Sequence, residues 1–166
     1  ALFEPAADGS NSLSAVSATR NYMVLQVSEH VRTKLAFFKH AGDGAWTDET
    51  HEANGLAPAG EDVSVSAIWP DDSDECWVST SGFLHPTTLA KAHAADGAKL
   101  RESLKALPPR FDSSQLTCSQ HFATSRDGTR VPYFLLGPKE LRLDGSNPTL
   151  LDGYGGFEIS LSPSYA

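Results

Sequence analysis

The stretch of this 166-residue sequence best suited to chemistry is Leu150-Leu151-Asp152-Gly153-Tyr154-Gly155-Gly156-Phe157-Glu158-Ile159-Ser160. An apolar pair runs straight into a loop with three glycines and two aromatic rings. Backbone without Cβ atoms can pass close to a ligand. Tyr154 brings a phenolic O–H that can donate to an oxygen gaining negative charge. Removing one such donor from a catalytic site typically costs roughly 100- to 1,000-fold in rate. The same residues also suit a flexible strand-to-helix connector with buried rings, and the residues alone leave both readings open.

No complete catalytic set accompanies the loop. The sequence has no Gly-x-Ser-x-Gly elbow, no P-loop and no His-Glu-x-x-His motif. Gly153 to Phe157 is no dinucleotide fingerprint, because Glu158 stands where the third glycine belongs. Ser160, Ser162 and Ser164 lack flanking glycines and are not nucleophile candidates. The six histidines (His30, His40, His51, His85, His93, His121) show no ligand spacing and are assigned to surface or packing roles. The acidic run Asp71-Asp72-Ser73-Asp74-Glu75 lacks the alternation and central glycine of a calcium loop, so it reads as a solvated turn. No metal and no cofactor are therefore expected. Trp46, Trp69 and Trp77 are expected in packing roles rather than around a ligand.

Composition narrows the classes further. The chain is 40% hydrophobic and 20% charged, with a formal net charge of −8. That charge argues against a nucleic-acid partner. No apolar run approaches the roughly 20 residues of a membrane span, and no signal peptide is visible, so no membrane partner is expected. Cys76 and Cys118 form no Cys-x-x-Cys pair and read as small buried thiols. They suit a reducing compartment, which predicts a cytoplasmic protein, with a periplasmic one as the alternative.

The elements that must carry the loop are mostly strands. Tyr22 to Val27, Thr33 to His40, Val63 to Trp69, Glu75 to Ser81 and Thr87 to Ala92 are short runs rich in β-branched and aromatic residues. Asp8-Gly9, Asp43-Gly44, Asn54-Gly55, Asp96-Gly97 and Asp127-Gly128 supply the turns between runs. Asp96 to Leu107 can be a helix or the last hairpin of its sheet, and the hairpin is preferred. Leu116 to Ser125 and Thr129 to Leu136 form the strongest hairpin, across Arg126-Asp127-Gly128. Pro148 to Leu151 is expected as a further strand, buried on both faces. Leu107-Pro108-Pro109-Arg110 marks a boundary, since Pro-Pro continues neither ladder nor helix.

Two segments resemble the prolyl oligopeptidase family. Phe122-Ala123-Thr124-Ser125-Arg126-Asp127-Gly128-Thr129-Arg130-Val131-Pro132-Tyr133-Phe134 resembles the opening hairpin of its hydrolase domain, and Leu143 to Ser160 resembles the next segment. Ser79 to Leu89, with an aromatic and then Leu-x-Pro before a strand, is similar to the family's last propeller blade. The resemblance implies residues 1–107 as the C-terminal part of a seven-bladed β-propeller. It implies residues 108–166 as the incomplete start of an α/β-hydrolase domain. It further implies a serine peptidase that cleaves short peptides after proline. In hydrolases of that fold, the loop after the third strand supplies part of the oxyanion hole. Tyr154 matches the family's oxyanion tyrosine and Phe157 an aromatic of the proline pocket. Asp152 stands where an aromatic is more usual. The family's Ser, Asp and His fall beyond Ala166, so the chain alone is expected to be inactive.

The implied partners are a proline-containing oligopeptide and the remainder of the propeller and hydrolase domain. Two incomplete cores should leave apolar surface exposed, which predicts an unstable or sticky isolated chain. Both ends of the sequence are expected to be cut points. The competing readings are a non-catalytic β-rich binding module and an inactive truncated relative.

Overall fold

A computed structural model describes residues 1–50, 56–157 and 160–166. His51, the expected Asn54-Gly55 turn, and Glu158 and Ile159 of the glycine-rich loop lie outside the described residues.

Two four-stranded antiparallel meanders follow one another along the chain. The first runs β1 (Asn11–Ala18), β2 (Tyr22–Glu29), β3 (Arg32–His40) and β4 (Trp46–Asp48), each paired with the next. The second repeats the pattern with β5 (Glu61–Ala67), β6 (Glu75–Gly82), β7 (Thr88–His93) and β8 (Glu102–Ala106). Sequential up-and-down sheets stacked face to face are propeller blades. Among the described residues the helical content is one 3-10 turn, Ala94–Asp96. The Asp96 to Leu107 region is thus a hairpin, as preferred above, turned by Gly97 at φ +69°. Gly9, Gly44 and Gly128 also take positive φ at their expected turns.

The core lies between the two blades. Tyr22, Val24, Leu35 and Phe37 of the first meet Val65, Cys76, Val78 and Ala92 of the second. The period-two pattern explains the choice: Val65 is buried while Ser64 and Ser66 point to solvent. Polar side chains stitch the same seam. The Gln26 amide donates to the Val65 carbonyl at 3.1 Å and accepts from the Val65 N–H at 3.3 Å, mimicking a neighbouring strand. Ser17 Oγ accepts from the Ala67 N–H at 2.8 Å, and Thr33 bonds Asp62.

The acidic run departs from its expected role at one residue. Asp71 and Asp72 are exposed, but Asp74 is buried and clamps the blades. Its Oδ1 accepts from the Asn21 N–H at 2.7 Å and the Thr19 hydroxyl at 2.8 Å, and its Oδ2 from the Asn21 amide at 2.8 Å. Burial pushes this carboxyl up, but the bonds from Asn21 and Thr19, with His93 nearby, hold it below the usual carboxylate range.

β9 (Leu116–Thr124) and β10 (Arg130–Pro138) form a separate hairpin at the expected place, with Arg130 opposite Thr124 and Pro138 opposite Leu116. The expected strand at Pro148 to Leu151 is corrected by the structure. That segment is irregular, with Leu150 and Leu151 about nine-tenths exposed. A strand needs a neighbour to pair its backbone, and no described element lies alongside. The α/β-hydrolase sheet is accordingly not formed within the described residues; this part of the chain holds one hairpin and irregular backbone. Of the three tryptophans expected in packing roles, Trp77 is half-buried on β6, and the other two differ from expectation. Trp69 lies past the end of β5 and is 63% exposed, and Trp46 stands at the surface with its ring centroid 5.1 Å from that of His40. Cys76 is fully buried, and desolvation pushes its thiol up to about 11; Cys118 is only half-buried.

Candidate functional site

The glycine-rich loop follows β10 after an irregular stretch whose turn is built by Asp144. The Asp144 carboxylate accepts from the Ser146 N–H at 3.0 Å and hydroxyl at 2.6 Å, with Gly145 at φ +80°. Such an Asx turn is local chemistry, readable from Asp-Gly-Ser.

Within the loop, Tyr154 folds back over the chain. A Cβ built on Gly156 would stand 3.2 Å from the Tyr154 hydroxyl oxygen and 3.3 Å from its ring carbon Cζ. Gly156 therefore makes room for the phenol. Tyr154 is 51% exposed. Phe157 is 91% exposed and sits at φ +54°, a region that costs a non-glycine residue about 1–2 kcal/mol. The structure places the two predicted residues on one loop but brings no wall around Phe157: a pocket residue needs opposing atoms, and this ring has almost none. Asp152 is exposed, so the departure at that position disturbs no packing here.

A cavity of about 620 Å³ opens next to the loop's far end. Asp8, Ser10, His30, Thr129, Arg130 and Ser160 are among its lining residues, and neither Tyr154 nor Phe157 is. Arg130 is held with its guanidinium 4.4 Å from the Phe122 ring centre. Among the described residues no group of three or more His, Cys, Asp or Glu could hold a metal ion. No described helix is long and apolar enough to cross a membrane.

After the loop the chain returns to the propeller. Tyr165 stacks on Phe111 with centroids 5.5 Å apart, its hydroxyl accepts from the Arg110 N–H at 2.7 Å, and its own N–H donates to Ser81 Oγ at 3.2 Å. Sequence reasoning missed this tie; nothing in Ser-Pro-Ser-Tyr signals a partner at the Pro-Pro boundary.

No family model matches the chain. Curated relatives do. An uncharacterized peptidase of Sinorhizobium fredii is 40% identical over 156 residues, covering 93% of this chain and 20% of the relative. The prolyl endopeptidase of Elizabethkingia miricola is 35% identical over 92 residues, 55% of this chain and 13% of the relative. Among solved structures, a prolyl endopeptidase superposes with a TM-score of 0.75 over 99% of this chain and 23% of its own, at 24% identity. The chain thus spans a fifth or less of the curated relatives just named. Two stacked blades and the hairpin that follows them share the fold of that prolyl endopeptidase, and the curated relatives make this chain similar to a portion of the peptidases of the prolyl oligopeptidase family.

Proposed function

We propose that this chain is part of a serine-type oligopeptidase that hydrolyses short peptides on the C-terminal side of proline. The boundary at Pro108-Pro109 divides propeller from catalytic domain in this reading, with residues 1–107 on one side and 108–166 on the other. Tyr154 is the oxyanion donor. When a serine supplied by the rest of the protein attacks the scissile carbonyl, the oxygen gains charge and the phenolic O–H donates to it. Phe157 offers its face to the pyrrolidine ring of the substrate. The observation that carries the reading is the phenol of Tyr154, laid over a side-chain-free Gly156 on a residue half exposed to solvent.

The test is Tyr154→Phe in the full-length protein. The substitution deletes one hydroxyl and keeps the ring. We expect kcat on a proline-containing chromogenic peptide to fall at least roughly 100-fold with KM little changed. A rate within twofold of the parent removes the oxyanion role.

A further inference from the structure

The β9–β10 hairpin meets both blades through one face, and the contacts alternate with the strand period. On β9, Cys118 lands on Gly60, and Gln120 and Phe122 both land on His30. The Gln120 amide donates to the His30 carbonyl at 2.6 Å, and the Phe122 ring meets the His30 ring edge-on at 5.0 Å. Phe134, opposite Gln120 on β10, meets Phe83 of the second blade at 5.6 Å. Cys118 fits a notch. Gly60 has φ +81°, and a Cβ there would stand 2.5 Å from Cys118 Sγ and 2.9 Å from Cys118 Cβ. Gly82 buttresses the notch, since a Cβ on it would lie 2.6 Å from the Gly60 carbonyl oxygen.

The other landing point is strained. The β2–β3 turn puts His30 at φ +49° and Val31 at φ +59°. For a β-branched residue the left-handed region is an outlier, tolerated where surroundings over-determine it. Here the His30 N–H donates to Ser10 and its carbonyl receives Gln120, so the docked hairpin is one of the supports of the turn.

We propose that this face of the hairpin is the joint between propeller and catalytic domain, with the Gly60 notch and the His30–Val31 turn as its two seats. Gly60, Cys118 and Gln120 are positioning residues: they fix the hairpin, and the hairpin leads directly into the chain that carries Tyr154. The positioning role and the catalytic identity of the domain rest on the peptidase reading above, whereas the seating of the hairpin on the blades does not.

The experiment uses native-state alkylation of the full-length protein with iodoacetamide, with Cys118 and Cys76 read separately by peptide mapping. Cys118 borders the joint, and Cys76 lies inside the blade core as an internal control. Gly60→Ala drives a methyl group into Cys118. We expect Cys118 alkylation to accelerate about tenfold through the open form while Cys76 stays protected. Gln120→Ala loosens the opposite seat without adding an atom, and we expect about threefold. With a proline-containing peptide, the loss in Gly60→Ala should fall in KM with kcat within about twofold, because saturating substrate selects the state in which the hairpin is docked. Unchanged Cys118 reactivity in both variants overturns the joint, as does Cys76 accelerating in step with Cys118. Alkylation needs no turnover, so an inert protein would sink the peptidase reading while leaving the joint to be judged on the thiols.

Discussion

The blades and the segment after β10 spend their apolar residues differently. In the blades, Val24, Phe37, Cys76 and Val78 are fully buried, and the buried polar side chains Thr19, Gln26 and Asp74 all have partners across the seam. After β10, Leu143, Leu150, Leu151 and Phe157 stand about nine-tenths exposed. A four-stranded meander satisfies its own backbone and needs only a stacked neighbour for its faces. The later segment carries the residues of a buried strand without a sheet to receive them. Order in the first region is therefore local and paired, whereas order in the second depends on atoms these residues do not supply.

The comparison breaks most directly at Phe37. Its ring is fully buried between the blades, so Phe37→Ala should cost about 3–5 kcal/mol through lost burial and the cavity left behind. Hydrogen exchange at the β2 and β6 amides measures it as a drop in local opening free energy. An effect under about 1 kcal/mol would mean that the seam does not hold the blades together.

The next effect sharpens what the seam is made of. Asp74→Ala leaves the Thr19 hydroxyl and two Asn21 donors without their acceptor, which should cost about 2–3 kcal/mol near neutral pH. The charge state gives a second handle. The folded carboxyl is held below its ordinary value of about 3.9, so its contribution is complete above that value and is lost as pH falls through the lower folded one. The parent and Asp74→Ala should therefore converge in acid. A constant gap across that range would assign the loss to packing instead of the carboxylate.

Much of the blade architecture was legible because alternation writes burial into the chain. Val63 and Val65 alternate with Ser64 and Ser66, and Asp-Gly pairs mark the turns. β1 escaped because Asn-Ser-Leu-Ser-Ala-Val-Ser-Ala is largely exposed on both faces and carries little apolar signal. β4 escaped because three residues are too few to show a period. Asp74 looked like its acidic neighbours, since a clamp is defined by donors brought from another blade. Gly60 was hidden for the same reason: the atom it avoids belongs to a residue of the later hairpin. Tyr154 was singled out by its glycines and the hydroxyl it offers, and its specific role by resemblance. The error at Pro148 to Leu151 is instructive, because apolar content states what a segment can bury but not whether a partner strand is present.

The smallest effect comes from that segment. Leu151 is 92% exposed, so Leu151→Ser in the 166-residue chain should shift stability by no more than about 0.5 kcal/mol, the range of ordinary surface changes. In the full-length protein the outcome divides the readings. If a catalytic sheet receives Leu150 and Leu151, the same substitution loses a buried side chain and gains an unpaired hydroxyl, and the loss should rise to about 2–5 kcal/mol. Thermal melts of parent and variant in both lengths measure the difference. An equally small shift in the long form would mean that the loop carrying Tyr154 is held by β10 and the Tyr165 tie alone, and that the apolar pair before it is not a strand in either context.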